Sequence, residues 1–434
     1  MIQLDGVGFD GVDIEGFFDF QVNNTFYLMV PAYYQSFYSI YLRRALTCYD
    51  GYLRGFHDIS NGLVPQKMLQ SVARGLNNML FAHGIDFTGS DEGYKFAIDW
   101  AKRAKLYRTL KRAHLFACAS GTSLIKLNRQ GKDLFPSAHR MDTFYVDVDA
   151  TGKIASARGY FDAIHNTNEG DIHYGICEER YFNEQNKACV RASVYRMSSM
   201  QTGVSERPSI GNSKLEKQNW ENLPSPVRAY IKENHPSIVI GKEQYLPFAN
   251  SLGCILMRFT EDIPKFPDLP FGQPIGDILF AERFQFDQMK RFEKIEVHMA
   301  RARAHVPDEL FNKDDPYGKD RVMDETYYQK VSSVSDDTDK ITPIQFMLRG
   351  GDIRAQKENI YRDCAFKLNV SASSIASFLS EGEGARTATE IVSERTKSDT
   401  WISSQINLNK PEIDELLRIV ARYYNKDIPE IVFK

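Results

Sequence analysis

The chain has 434 residues, 42% of them hydrophobic, and a formal net charge of −3. This length and apolar content can bury more than one hydrophobic core, so we expect two or more domains. The weak negative charge excludes nucleic-acid binding by attraction to the protein as a whole, although local basic patches are still possible. No apolar run approaches the roughly 20 residues of a membrane span, so no membrane partner is expected.

The cysteines and the N-terminus point to an intracellular protein. Six cysteines are scattered along the chain without a CxxC pair, which is typical of free thiols in a reducing compartment. The first residues are acidic and rich in glycine, unlike a signal peptide.

Helices are predicted in the first third of the chain. Apolar residues recur every three or four positions from Pro65 to Phe81 and again from Tyr94 to Ala119. The polar side of the second helix carries the densest basic cluster of the chain: Lys102, Arg103, Lys105, Arg108, Lys111 and Arg112. This cluster is either a solvated helix face or a contact for phosphates or a partner.

From Gly121 the apolar period changes to two, which predicts strands rich in β-branched and aromatic residues. The predicted strands are Thr122–Leu127, Thr143–Asp149, Lys153–His165, His173–Asn183 and Cys189–Ser198. The turn from Asp147 to Gly152 begins like a calcium-binding loop. Its twelfth position is Arg158 instead of the required Glu, so a hairpin turn is expected.

The following segments are predicted to be a polar loop, a short helix and an extended region. The loop covers Met200–Gln218 and the helix covers Asn219–Asn234. The Pro-rich extended region covers Glu243–Pro274 and leads directly into a long helix.

The long helix is predicted at Asp277–His305. Met289, Phe292, Ile295 and Met299 lie on one face, and charges of both signs fill the rest of the helix surface. Such a narrow apolar stripe suits a helix that packs against copies of itself, and it also suits an exposed helix of a globular domain.

A small module and a second helix come next. The polar, Asp-rich segment Val306–Leu348 precedes a helix at Asp352–Val370, so two long helices enclose a separate module in the sequence. A Ser/Gly-rich loop then leads to a final helix that opens at Thr387, and Pro411 is predicted to kink or divide this helix. The last residues, from Glu430, have the pattern of a strand.

No motif of a known catalytic site is present. The sequence lacks a P-loop, an HExxH pair and a GxSxG turn. A zinc site could be formed by His165, His173, Cys177 and Cys189, although their spacing matches no standard metal pattern. We therefore expect no catalytic residue, no metal and no cofactor.

The order of several motifs resembles the portal proteins of tailed bacteriophages, most of all those of phages of Gram-positive bacteria. The likeness begins at Ala119–Leu127 and tightens from Asn250 to Gly276. It continues through the long helix, Val306–Leu310 and Gly350–Arg354, and it ends with Arg386-Thr-Ala-Thr-Glu390. The first 60 residues or so take no part in it.

The resemblance implies an α+β fold and a dodecameric ring at one vertex of the capsid. Double-stranded DNA would pass through the ring during packaging and ejection. The implied partners are the large terminase subunit, the major capsid protein, the scaffold and the head-completion or tail connector protein. The protein would be assembled in the host bacterial cytoplasm and would end up in the virion.

The resemblance also implies a division of the chain. Its parts are a wing at residues 1–274, a first stem helix at 275–305, a clip at 306–349, a second stem helix at 350–370, a tunnel loop at 371–386 and a crown at 387–434.

Three groups of site residues follow from this division. The stem would pack through Met289, Phe292, Ile295 and Met299. The tunnel loop would present Ser380, Glu381, Gly382, Glu383, Gly384 and Arg386 to DNA. The clip would contact terminase and connector through Asp314, Asp315, Tyr317 and Lys319. Two alternatives remain at this point: another oligomeric phage connector or minor capsid protein, and a nucleic-acid-processing enzyme.

Overall fold

The computed structural model shows an α+β protein whose chain divides into two compact units. Unit 1 comprises Met1–Phe280 and Ala365–Lys434, and unit 2 comprises Ala281–Cys364. The structure describes residues 37–50, 67–149, 152–167, 170–199, 213–234, 240–248, 250–261, 269, 271–299, 303–307, 328–331, 342–344, 350–375 and 388–433.

Unit 1 contains helices from both ends of the chain. A π-helical turn at Phe37–Leu42 leads into α1. The helices of the N-terminal part are α1 (Arg43–Asp50), α2 (Met68–Leu80), α3 (Asp91–Arg103), α4 (Leu106–Ser120), α5 (Ser225–Asn234) and the short α6 (Ile275–Ile278). The C-terminal part adds α9 (Ala372–Ile375) and α10 (Ala388–Tyr423).

The strands among the described residues of unit 1 form three sheets. They are β1 (Ile85–Thr88), β2 (Thr122–Gln130), β3 (Asp133–Arg140), β4 (Phe144–Val148), β5 (Ile154–Thr167), β6 (Gly170–Phe182), β7 (Ala188–Ser199), β8 (Ser213–Gln218), β9 (Gln244–Tyr245), β10 (Cys254–Arg258) and β14 (Glu430–Phe433). A six-stranded sheet has the order β4-β5-β6-β7-β8, with β9 on β7. A second sheet has the order β10-β2-β3, and β1 pairs with β14. The strand pairings in these sheets are antiparallel.

One apolar core joins the two larger sheets. Leu124 and Leu256 from the three-stranded sheet belong to the same buried cluster as Tyr145 and Ala157 from the six-stranded sheet. A second cluster packs α5 on β5, β6 and β7 through Val227 and Ile231. Burial does not alternate along every strand, because β2 is buried on both faces from Thr122 to Leu127.

Side-chain amides of α10 complete the outer edge of β10. Asn409 Oδ1 accepts a hydrogen bond from the Arg258 N–H at 2.8 Å, and its Nδ2 donates to the Arg258 carbonyl at 2.9 Å. Gln405 Nε2 donates to the Phe259 carbonyl at 2.8 Å. These contacts satisfy backbone groups that an edge strand otherwise leaves unpaired.

The described residues of unit 2 form parts of two long helices and a small sheet. Its helices are α7 (Phe280–Met299), which begins at the end of unit 1, and α8 (Gly350–Lys367), which runs on into unit 1. Its strands are β11 (Arg303–Pro307), β12 (Tyr328–Val331) and β13 (Thr342–Ile344). Strand β11 lies in the centre, parallel to β12 and antiparallel to β13.

The predicted long helices differ from the observed ones at their ends. The helix predicted at Asp277–His305 is interrupted at Leu279 and ends at Met299. His305 lies in β11, where it pairs with Gln329. Val306 precedes a proline, and such residues avoid the helical region, which favours the extended form here.

The helix predicted from Tyr94 to Ala119 consists of two helices. It breaks at Lys105, which has a left-handed backbone with φ of 53° and ψ of 38°. Both sides of the break are buried through Ala104 and Leu106, so tertiary packing overrides the continuous apolar period.

The secondary structure differs from the prediction at three further places. The loop predicted at Met200–Gln218 contains β8. Strand β3 was not predicted; it contains Pro136, which is tolerated because β3 is an edge strand. Pro411 does not divide α10, since the helix is buried before it through Gln405 and after it through Ile413. The predicted hairpin at Gly152, the helix start after Thr387 and the last strand are confirmed.

A buried histidine lies among aromatic rings where α2, α4 and α10 meet. His114 is 0% exposed, and its Nδ1 lies 3.1 Å from Asn77 Oδ1. The rings of Phe81, Phe259 and Trp401 contact the imidazole in T-shaped arrangements. Burial lowers the pKa of His114 to about 4, so the folded protein holds this ring neutral.

We expect His114 to make unit 1 acid-sensitive. Its pKa is lower in the folded chain than its ordinary value of 6.5. Its contribution to stability is therefore complete above pH 6.5 and declines as the pH falls toward 4. Between about pH 7.5 and about pH 5 the wild type should lose about 2 kcal/mol that His114→Gln does not lose.

Urea unfolding at these two pH values checks this expectation. His83→Gln serves as the control, because His83 is exposed. The expectation is wrong if wild type and His114→Gln lose the same stability on acidification.

Candidate functional site

Three glycines bring backbone segments together where the chain is about to leave unit 1. A Cβ on Gly121 would overlap the carbonyl oxygen of Gly272. A Cβ on Gly272 would lie 2.6 Å from the Thr260 carbonyl oxygen, and one on Gly276 would overlap the carbonyl oxygen of Ala45. Gly121 also has a φ of +84°, which favours glycine. We call Gly121, Gly272 and Gly276 the glycine crossing.

Hydrogen bonds hold the segments of the glycine crossing in register. The Gly272 N–H donates to Thr122 Oγ1 at 2.9 Å, and the Phe259 N–H donates to the Gly121 carbonyl at 2.9 Å. Thr260 Oγ1 accepts from the Gln273 N–H at 2.5 Å. The end of α4, strand β10 and the start of α6 are thereby fixed to one another.

The same region positions the start of α7. Asp277 accepts hydrogen bonds from Tyr41 Oη at 3.1 Å and from Gln273 Nε2 at 2.5 Å. The Arg44 guanidinium lies 3.9 Å from the centre of the Phe280 ring, a cation–π contact. Burial and the neighbouring Asp277 carboxylate raise the pKa of Tyr41, so its hydroxyl stays protonated and donates.

A serine cluster anchors the first residues of the predicted tunnel loop (371–386), which is not a loop throughout, since Ala372–Ile375 form the short helix α9. Ser371 Oγ lies 2.6 Å from Ser374 Oγ, and Ser374 Oγ lies 3.0 Å from Ser398 Oγ on α10. A Cβ on Gly75 of α2 would meet the Ser374 carbonyl oxygen at 3.1 Å. Ile375 is buried one residue before the undescribed segment begins. The beginning of this loop is therefore fixed on α2 and α10.

The two long helices contact each other within unit 2. Phe286 and Tyr361 form a T-shaped ring pair with centroids 5.6 Å apart, and Lys357 pairs with Glu293. From Phe286 to Glu293 the chain advances along α7, whereas their partners on α8 go back from Tyr361 to Lys357. The two helices therefore run antiparallel.

The predicted site residues are described only in part. Met289 is half-buried, and Phe292 is 49% exposed. Ile295 and Met299 lie in α7, but their side chains are outside the description. The tunnel-loop residues Ser380–Arg386 and the clip residues Asp314–Lys319 lie outside the described residues.

A buried cluster of charges, which was not predicted, lies between the two larger sheets. Glu178 accepts from Lys126 Nζ at 2.9 Å and from Arg180 Nε at 2.9 Å. Arg180 also donates to the Leu252 carbonyl at 3.0 Å. All three charged side chains are at most 8% exposed. The sequence signal was the alternation on β6, where Glu178 and Arg180 share the face that also bears buried apolar residues.

The surroundings of this cluster shift the ionisation of its members. Burial alone would raise the pKa of Glu178, but Lys126 and Arg180 outweigh burial and lower it. Burial lowers the pKa of Lys126, and it lowers the pKa of the neighbouring His139 to about 3. Such shifts occur in active sites and also in structural ion pairs.

The volume of the cavity beside the cluster distinguishes an active site from a structural ion pair. The cavity lined by Lys126, His139, Glu178 and Cys254 holds only about 10 Å³. That is room for about one water molecule and not for a substrate. The cluster therefore joins the two sheets and offers no binding site.

The zinc alternative does not fit the register of the strands. His173 pairs with Ile164 on β5, whereas Cys189 pairs with Tyr181 on β6. Tyr181 is eight residues from His173, which is roughly 26 Å along a strand. In the part of the chain that the structure describes, no group of three or more potential ligands could hold a metal ion. Among the same residues, no helix is long and apolar enough to cross a membrane.

The comparisons with known proteins give structural neighbours only. No protein-family model matches the chain, and no curated protein matches it. A chain from the neck of a native GTA particle, computed with C12 symmetry, is similar with a TM-score of 0.41 and 10% identity. The match covers 83% of this chain and 78% of that one.

Two further structures give comparable values. A chain from the virion of a native gene transfer agent (GTA) particle has a TM-score of 0.37 and 11% identity, over 89% of this chain and 82% of that one. A chain from the neck of an empty GTA particle, computed with C6 symmetry, has a TM-score of 0.38 and 10% identity. This match covers 83% of this chain and 78% of that one. TM-scores of 0.37 to 0.41 at 10 to 11% identity do not define a function.

Proposed function

We propose that the protein is a phage portal: a ring of identical subunits at one capsid vertex through which double-stranded DNA passes. The observation that carries the proposal is the construction of unit 2. Two long antiparallel helices enclose in sequence a small three-stranded sheet, and α7 keeps Phe292 half-exposed among charged residues. A stem that ends in a clip has this arrangement, and a half-exposed aromatic suits contact with a second copy.

The predicted tunnel loop, residues 371–386, is the proposed channel element, with Ser380–Arg386 as the part that faces DNA. Its first end is fixed by the serine cluster. The sequence that follows contains Gly382 and Gly384, a residue type that suits a loop required to adapt to passing DNA. Glu381 and Glu383 outnumber Arg386, so the tip would not hold phosphates tightly and DNA could slide. In this proposal Ser380 is also exposed to the DNA.

The other partners belong to the same proposal. Asp314, Asp315, Tyr317 and Lys319 would contact the large terminase subunit and later the connector. The major capsid protein and the scaffold would contact the ring in the host cytoplasm, and the finished ring would remain in the virion. The reaction chemistry would belong to the motor, since the ring itself acts as a conduit.

Electron microscopy of the purified full-length protein tests the proposed function. We expect rings with a central hole wide enough for duplex DNA, lined by residues 380–386 in a reconstruction. Closed oligomers without such a hole would favour a connector or minor capsid protein instead. A monodisperse monomer with metal-dependent nuclease activity would refute the portal.

We expect Phe292→Asp to prevent ring formation without unfolding the subunit. Phe292 is 49% exposed in the single chain, so a charge there should cost the subunit less than about 1 kcal/mol. The same charge placed between neighbouring stems would be buried without a partner. Size-exclusion chromatography and the melting temperature separate the two effects.

Gln285→Asp is the matched control, because Gln285 is also exposed on α7. It should form rings like the wild type. Normal rings in Phe292→Asp would contradict the packing of stems through this residue.

A further inference from the structure

Six basic residues surround the junction of α3 and α4. They are Lys102, Arg103, Lys105, Arg108, Lys111 and Arg112, which we call the basic face. Five of them are exposed, and Lys111 is half-buried beside Tyr107 and Asn78. The left-handed backbone of Lys105 turns the chain between the two helices, so the cations come from two helices and from the turn.

Carboxylates barely neutralise the basic face. Helix α4 contains no acidic residue from Leu106 to Ser120. Within the described ranges, Asp133 is the one carboxylate in ion-pair distance of any member, and it pairs with Arg103 at 3.3 Å. Both partners of that pair are more than half exposed, so the pair is weak.

The positions of the charges on α4 oppose the stability of the helix itself. Lys105 is the N-cap and Arg108 lies in the first turn, where positive charge meets the positive end of the helix dipole. Arg108 and Arg112 are four residues apart, and like charges at this spacing repel. Helix α3 shows the opposite order, with acidic residues in its first turn and basic residues in its last. The basic residues of α4 do not stabilise the helix, so we expect them to interact with a partner outside it.

The shape and chemistry of the face fit a row of phosphates better than an acidic protein. Lys105, Arg108 and Arg112 follow one side of α4 over about 10 Å, at a rise of about 1.5 Å per residue. Arginine binds phosphate through two hydrogen bonds. A protein interface also needs an apolar centre, and the exposed aromatic within the row is Tyr107, whose hydroxyl already donates to the Phe81 carbonyl.

We propose that the basic face binds the phosphate backbone of duplex DNA, as a contact separate from the channel loop. Phosphate contacts position DNA without reading its sequence. Neutralising about four to six phosphates gives a slope of log K against log salt of about −4 to −5. The proposal does not require a ring, so it can fail or hold independently of the portal function.

Fluorescence anisotropy with a labelled duplex of arbitrary sequence, about 30 base pairs long, tests the proposal over a salt series. The charge-reversal variant is Arg108→Glu with Arg112→Glu. We expect its affinity to fall at least about tenfold and the salt slope to become shallower by about 2. Its melting temperature should stay the same or rise, because Arg108→Glu puts a negative charge in place of a cation near the positive end of the dipole.

The control variant, Lys187→Glu with Lys232→Glu, makes the same change in net charge. Both lysines are exposed; Lys187 lies in the turn before β7, and Lys232 lies in α5. The control should bind the duplex within about threefold of the wild type. Equal losses in both variants, or no loss in either, would overturn the proposal, as would tighter binding of polyglutamate or of single-stranded DNA than of the duplex.

Discussion

Gly121→Ala should lower the melting temperature by about 10 °C or prevent folding. Its Cβ would overlap the Gly272 carbonyl oxygen, and the nearest obstacle is backbone and not a movable side chain. The crossing must therefore open, which also threatens the hydrogen bonds at Thr122 and Phe259. We expect a loss of at least about 4 kcal/mol, at roughly 2 to 4 °C per kcal/mol.

Gly131→Ala separates the steric cause from the conformational one. Gly131 also has a positive φ, +63°, but no atom lies within 4 Å of the position that its Cβ would take. Both substitutions strain the backbone, at a cost of about 1 kcal/mol, whereas only Gly121→Ala adds an overlap. Thermal unfolding followed by circular dichroism compares them. Equal decreases in melting temperature would mean that the segments at the glycine crossing separate without a loss of stability.

Glu178→Gln should cost about 3 to 5 kcal/mol. The amide keeps the shape of the side chain but leaves Lys126 and Arg180 buried without a counter-charge. In the wild type the pKa of Glu178 is lower in the folded protein than its ordinary value of 4.5. The contribution of its charge to stability is therefore complete above pH 4.5 and is lost as the pH falls through the pKa of the folded protein. Urea unfolding at neutral pH measures the cost.

The neighbouring residue provides the control for this substitution. Glu179 points to the other face of the sheet, where it pairs with Arg158 and Arg191, whose side chains are 33% and 54% exposed. Glu179 itself is only 11% exposed, but both arginines keep access to water when its charge is removed, so Glu179→Gln should cost about 1 to 2 kcal/mol, less than Glu178→Gln. Replacing Lys126, Glu178 and Arg180 together by Met, Leu and Met should restore most of the stability lost in Glu178→Gln. A small effect of Glu178→Gln alone would show that water reaches the cluster.

The local pattern of the sequence predicts most of the helices and strands. It does not predict where a helix is interrupted or which segments pack against one another. The apolar period of two predicts β2, β4, β5, β6 and β7 but misses β3. Strand β2 keeps this prediction although it is buried on both faces from Thr122 to Leu127. The break at Lys105 could not be predicted, since the apolar period continues through it. It depends on where Ala104 and Leu106 are buried, which is a property of the tertiary structure.

The candidate site shows the same limit. The sequence shows glycines at positions 121, 272 and 276, but it does not show that they pack together. Their close approach joins segments that are 150 residues apart in sequence. The pairing of Lys126 with Glu178 spans 52 residues and depends on the packing of two sheets. The basic face is the opposite case: its six residues are local, and the structure adds that five of them are exposed.

The amide contacts between α10 and β10 have a consequence for the order of synthesis. Arg258 and Asn409 are 151 residues apart, and all of unit 2 is made between them. At about 5 to 20 residues per second, the ribosome needs roughly 8 to 30 s to cover that distance. During this time the edge of β10 has no partner from α10, and β1 still lacks β14. Unit 1 therefore reaches its native core only after translation is nearly finished, and until then the unpaired edges of β10 and β1 are open to pairing with other chains.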